Sequence, residues 1–434
     1  MSRSQFSFRV PFPALLPCVT IVLLASAAEA GVQYKVLHRF AGKADGAYPS
    51  SSLIMDSSGN LYGATSDGGS TANCKLGCGV VFELSPSNDQ WQEKVLYTFK
   101  GETDGLEPSG NLVFDSSGNL YGTTYGGGTG TNCTPYEGCG TVFQLAPTAS
   151  GPWKKTILYN FQDEGDGALP VGLTIDGKGN LFGVNITGSK PAGAEFGVVF
   201  EVSPPTRTGG KWKEQSVYNF QAFEVNGNPG LIFDAHGNLF GTWFQEFQCQ
   251  PDGCGVAFEL ENTKNGYEEE DLFDFHGGGD GGEPMAGLIL DGKGNLYGTG
   301  NAGGNNQGIA FELINSNGQW SENILHSFCS QNNCDDGADP LASLVFDATG
   351  NLYGTTSAGG SGCSFDFSCG VVFRLRPTAY GWDETVLHAF KGEPDGSNPE
   401  QGLIPNGNGG FYGTTARGGT GANGGYGTVF EITP

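Results

Sequence analysis

The stretch LVFDSSGNLYGTT, residues 112–124, decides the fold. It reads as two short β-rich runs, LVFD and NLYGTT, around a turn in which Asp115 hydrogen-bonds its own backbone two residues on and Gly118 takes a positive φ. Its centre, GN(L)(Y/F)G, recurs at Gly59, Gly118, Gly179, Gly237, Gly294 and Gly350, and as GGFYG at Gly409, in steps of 59, 61, 58, 57, 56 and 59 residues. That period exceeds the roughly 33–47 residues of helical repeats and suits a four-stranded propeller blade with long loops. A Gly-rich loop and a third run, GTVFQL at 140–145, follow, and a fourth run, WKKTILYNF at 153–161, carries Trp and Phe eight apart. Even spacing predicts both aromatics on one face of that strand, buried between blades.

The ends say how the repeats assemble. The seventh repeat, 403–432, stops after three runs, whereas VQYKVLHRF at 32–40 matches a fourth run with none before it. An open stack would leave two bare sheet edges, and closure removes them. The expectation is an all-β, seven-bladed β-propeller whose last blade joins three C-terminal strands to one N-terminal strand. Residues 1–30 read as a signal peptide and 31–434 as one domain. The blades fall at about 53–99, 112–161, 173–220, 231–275, 288–328, 344–390, and 403–432 plus 32–40.

The signal reading rests on Arg3 and Arg9, an apolar stretch over 10–28 and an A-x-A site at Ala28-Glu29-Ala30. No later stretch has the roughly 20 apolar residues of a membrane span. With 21 Lys and Arg against 46 Asp and Glu, the formal net charge is −25. A surface so anionic repels phosphate backbones and excludes nucleic acid as a partner, while a cationic partner is attracted.

Ten cysteines beyond the signal form local pairs: Cys74 with Cys78, Cys133 with Cys139, Cys249 with Cys254, Cys329 with Cys334 and Cys363 with Cys369. Export and even pairing predict disulfides rather than a metal site, whose close pairs would have to meet across different repeats.

Two sets of residues are candidates for function. A loop reading DGxxP precedes the first strand of six repeats, with Asp45, Asp104, Asp166, Asp280, Asp336 and Asp395. These carboxylates are either turn residues or a ring at the channel mouth suited to a cation such as Ca²⁺. The fourth repeat departs from the pattern, with Phe223 and Glu224 on one loop and Trp243, Phe244 and Glu246 after its second run. An aromatic platform beside carboxylates suits a glycan, a peptide or a cationic group. No catalytic residues are assigned, because the chain lacks GxSxG, HExxH and P-loop motifs.

The repeated LxxDxxGNLYGTTxxGG…GxVFEL…W…VLYxFxG…DGxxP closely resembles the GloVer (Gloeo/Verruco) tandem repeat of exported bacterial proteins. The resemblance implies a secreted, periplasmic or envelope protein and brings no established activity. Many such proteins carry surface anchors, whereas here the sequence stops at Pro434 after the last repeat, which favours free secretion or periplasmic residence. More loosely, DxxGNLY resembles strands of NHL-like and gluconolactonase or streptogramin-lyase-like propellers. The expectation is therefore a monomeric, non-catalytic, ligand-binding scaffold. The alternative is a metal-dependent lactonase or lyase-like enzyme working at the channel mouth.

Overall fold

The recurring phrase is a hydrogen-bonded turn followed at once by a crowded strand. Asp115 Oδ1 accepts from the N–H groups of Ser117 and Asn119 at 2.8 and 2.9 Å, and Oδ2 from Asn119 Nδ2 at 2.7 Å and the Tyr121 hydroxyl at 3.0 Å. Burial works against ionisation of Asp115, but these donors outweigh it and hold the carboxyl below its usual range. Gly118, at φ 78°, turns the chain. Gly122 is needed for a different reason: a Cβ there would lie 2.6 Å from the Phe143 ring and from Leu112. Phe143, fully buried, pairs with that glycine in the neighbouring strand and brings the tip of its ring over it.

The computed structural model describes residues 31–434 apart from 89, 132, 134–137, 150, 164, 188–196, 208, 221–229, 246–253, 306, 362–368 and 422–423. Among the described residues the strands form seven antiparallel sheets. The second is typical, running in order Leu106–Phe114, Leu120–Gly126, Thr141–Ala146 and Lys154–Asn160. The seventh combines Ile404–Pro405, Phe411–Thr415 and Thr428–Thr433 with the N-terminal strand Gln33–Arg39, which pairs Gln33 with Thr433 and Val36 with Phe430. The chain is thus an all-β, seven-bladed propeller closed by its N-terminal strand.

Every hydrophobic cluster is shared by adjacent blades. At each of the seven junctions the Phe ending one fourth strand meets the Phe of the next third strand, from Phe40–Phe82 and Phe99–Phe143 through to Phe390–Phe430. Centroid separations are 4.9–5.3 Å, each pair giving about 0.5–1.5 kcal/mol beyond its buried area.

One expectation is corrected. Trp and Phe of the fourth strand do not share a face, because each such strand carries a β-bulge between them. In the first blade Val95 pairs with Phe82 and Tyr97 with Val81, leaving Leu96 as the extra residue. The insertion reverses the alternation. Trp91 therefore packs with Phe82 and Tyr412 toward the seventh blade, while Phe99 packs with Val81 and Phe143 toward the second. Both remain in the core, at neighbouring junctions.

Candidate functional site

The DGxxP aspartates each organise their own loop. Asp45, Asp104, Asp166, Asp280 and Asp395 accept the main-chain N–H four residues earlier, of Ala41, Lys100, Gln162, His276 and Lys391. Asp336, fully buried, accepts from the Ser330 N–H and hydroxyl and from the Gln331 N–H. Most also meet the ring two residues before the fourth-strand Phe. Tyr97 donates to Asp104 at 2.7 Å and Tyr159 to Asp166 at 2.9 Å. His326 lies 3.2 Å from Asp336, His388 3.0 Å from Asp395 and His38 3.9 Å from Asp45. The six aspartates therefore stand in separate loops beside the outer strands. Among the described residues no three His, Cys, Asp or Glu side chains converge as a metal-ligating group.

The residue before each DGxxP proline is the one with special geometry. Tyr48, Glu107, Leu169, Glu283, Asp339 and Asn398 all adopt positive φ, between 47° and 60°. Such a conformation costs a non-glycine residue about 1 kcal/mol or more and persists only when its surroundings hold it. Here the holder is the preceding blade. Glu107 N–H donates to Cys78 O, Leu169 to Cys139 O, Asp339 to Gln307 O, Asn398 to Cys369 O and Tyr48 to Tyr426 O. Disulfides Cys74–Cys78 and Cys133–Cys139 fix two of those acceptors, and Cys329–Cys334 lies within a DGxxP loop. Cys254 and Cys369 are also disulfide-bonded. Cys249 and Cys363 lie outside the described residues.

This collar is acidic. Burial and Glu107 push Asp67 up to about 6, and burial and Glu283 push Asp339 upward. Glu400 is also raised by burial, with Arg417 opposing. Arg417 is 5.9 Å from the Tyr48 ring centre. Sequence reasoning concentrated on the Asp of DGxxP and passed over the acids written LEP, GEP and ADP. The signal was present, since a bulky residue before proline in a tight loop presents its side chain from a constrained backbone.

Inside the collar the first strands close on one another through small residues. Small residues such as Ser52, Gly230 and Gly402, together with Asn111, Glu400 and Gln401, line a cavity of about 50 Å³. At about 10–15 Å³ per water, that holds a few waters and no sugar ring.

In the fourth repeat, Trp243 stands where four other blades have a buried threonine, such as Thr124, whose hydroxyl bonds the carbonyl of Gly126. It is half-buried against a cluster with Phe182, Val184 and Leu231, and its Nε1 is buried without a partner among the described residues. Phe244 is buried. Phe223, Glu224 and Glu246 lie outside the described residues, so the structure does not place the rest of this patch.

The Gloeobacter/Verrucomicrobia repeat matches residues 24–250 and 230–434, almost the whole chain. The chain belongs to the Gloeobacter/Verrucomicrobia repeat family. No curated protein matches this family member. Similar solved structures include a luciferin-regenerating enzyme, at 12% identity and TM-score 0.42 over 74% of this chain and 90% of that one. A gluconolactonase of Xanthomonas campestris is 14% identical, with TM-score 0.40 over 74% and 85%. A Dyadobacter fermentans protein of unknown function is 10% identical, with TM-score 0.45 over 93% and 99%. Likeness at this level says nothing of the activity of the repeat protein.

Proposed function

We propose that this repeat protein is an exported, non-catalytic binding scaffold that takes a cationic ligand, such as a Lys- or Arg-rich peptide segment, on its loop face. The observation that carries the reading is the acidic collar of Asp67, Glu107, Glu283 and Asp339. Glu107 and Asp339 are pinned to the preceding blade through their main-chain N–H groups, and the cavity between the first strands is only about 50 Å³. A rigid collar spends little ordering entropy on binding, and clustered carboxylates steer a cation by long-range attraction. Ser52, Asn111, Ser343, Glu400 and Gln401 do meet at the cavity, but among the described residues no three His, Cys, Asp or Glu side chains gather to hold the metal of a lactonase-like mechanism. The disulfides suit an oxidising exterior.

Calorimetric titration with an oligolysine peptide tests this. Binding is expected at low salt and weakened at high salt. The triple variant Glu107→Gln, Glu283→Gln, Asp339→Asn should weaken it by about tenfold, equivalent to about 1.4 kcal/mol. Unchanged affinity in the triple variant, or Ca²⁺-dependent hydrolysis of a sugar lactone by the wild type, would overturn the reading.

A further inference from the structure

The bulge creates a feature of the blade junctions that the binding reading does not use. Two residues after the fourth-strand Trp, a side chain is aimed at the DGxxP aspartate of the previous repeat. In the second blade it is Lys155, whose side chain is 5% exposed and whose ammonium contacts Asp104 O and lies 3.1 Å from Asp104 Oδ1. In the seventh blade the place is held by Tyr34, stacked on His388 at 3.7 Å with its hydroxyl on Asp395 O. In four others it is an acid facing an acid: Glu93, Glu214, Glu322 and Glu384. Each has its Oε1 buried without a hydrogen-bond partner among the described residues.

Two carboxylates in such a place repel one another unless one of them is protonated. We infer that these junctions are proton-operated clasps: each of these buried glutamates stays protonated beside the loop aspartate, and loss of its proton loosens the junction and the loop. The aspartate is the link to the loop, because it also accepts the loop's main-chain N–H.

The surroundings divide the four into two kinds. Glu214 faces Asp166, with Tyr159 and Ser216 hydroxyls nearby, and Glu322 faces Asp280, whose other neighbour is the exposed His276. Glu93 faces Asp45 with His38 alongside, and Glu384 faces Asp336 with His326 alongside. Burial, then the facing aspartate, raises Glu93, Glu214 and Glu384 to about 7 and Glu322 to about 8, from 4.5. Burial lowers His38 and His326 against the pull of Asp45 and Asp336.

The sign follows from proton counting. An unfolded glutamate releases its proton near pH 4.5, whereas a clasped one keeps it to about 7 or 8. The folded state binds the extra proton across that window, so stability is fully present below it and falls as pH rises through it. At the histidine junctions burial lowers His38 and His326, so the imidazole binds fewer protons folded than unfolded, which opposes the effect of the glutamate. Glu214 and Glu322, without that opposition, carry the clearer pH response.

The test is the urea midpoint of the full chain at pH 5 and pH 8.5. Glutamine has the shape of protonated glutamate, so Glu214→Gln with Glu322→Gln should leave the midpoint at pH 5 nearly unchanged, raise it at pH 8.5, and remove much of the wild-type decline. Glu384→Gln should instead make stability climb relative to wild type between pH 5 and 7, because His326 then titrates without a competing carboxyl. Unfolding at pH 6.5 should release more protons from wild type than from the double variant. A double variant with the wild-type decline, or with equal shifts at both pH values, overturns the inference. Equal proton release does the same.

Discussion

Gly122 shows how one missing carbon sets the thickness of a blade. Its strand passes under Phe143 so closely that a Cβ would sit 2.6 Å from the ring, and Gly63, Gly183, Gly241, Gly298, Gly354 and Gly413 repeat that crowding under their own phenylalanines. Gly122→Ala should lower stability by about 1–3 kcal/mol, as overpacking does, with the native circular-dichroism spectrum retained. Ala at Gly177, where a Cβ meets nothing within 4 Å, is the matched control and should be near neutral. Both halves of GNLYG were visible in the sequence as a repeated phrase. Only the first glycine's reason, the turn, could be read from it, since the second depends on a ring 21 residues away.

At the scale of the strand, the four runs of each blade were legible because turn residues separate short alternating segments. The bulge was not. In KVLYTF nothing distinguishes Leu96 as an inserted residue, since Val95, Leu96 and Tyr97 are all apolar enough for either face. Missing it placed Trp and Phe on one face, and the same error hid the clasps, whose glutamates lie before the bulge and whose aspartates belong to the preceding repeat. The DGxxP aspartates were readable as turn formers, whereas the collar residues beside the prolines depend on hydrogen bonds from another blade. Deleting the bulge residue Leu158 should leave Tyr159 and Asn160 paired with Val142 and Thr141 on their present faces, because Ile157 and Tyr159 already pair with the adjacent residues Phe143 and Val142. Soluble, cooperatively unfolding protein is expected, less stable by about 1–3 kcal/mol for the lost packing of Leu158. A variant that fails to fold would show that the bulge does more than set which face each aromatic takes.

The whole molecule is a ring in which every blade is buried by its neighbours, and the N-terminal strand is its fastener. Tyr34 bridges to the sixth blade through His388 and Asp395, and Arg39 Nε donates to Pro394 O at 2.9 Å. Phe40, fully buried, completes the circle of phenylalanine pairs against Phe82. Closure was legible because the last repeat lacks the run that the first segment supplies. The most direct measurement is to delete residues 32–40 and follow thermal unfolding and solution mass together. The closed ring predicts a large fall in Tm, with association through the exposed edge of Thr428–Thr433. A shortened protein that stays monomeric and keeps the Tm of the complete chain would contradict it.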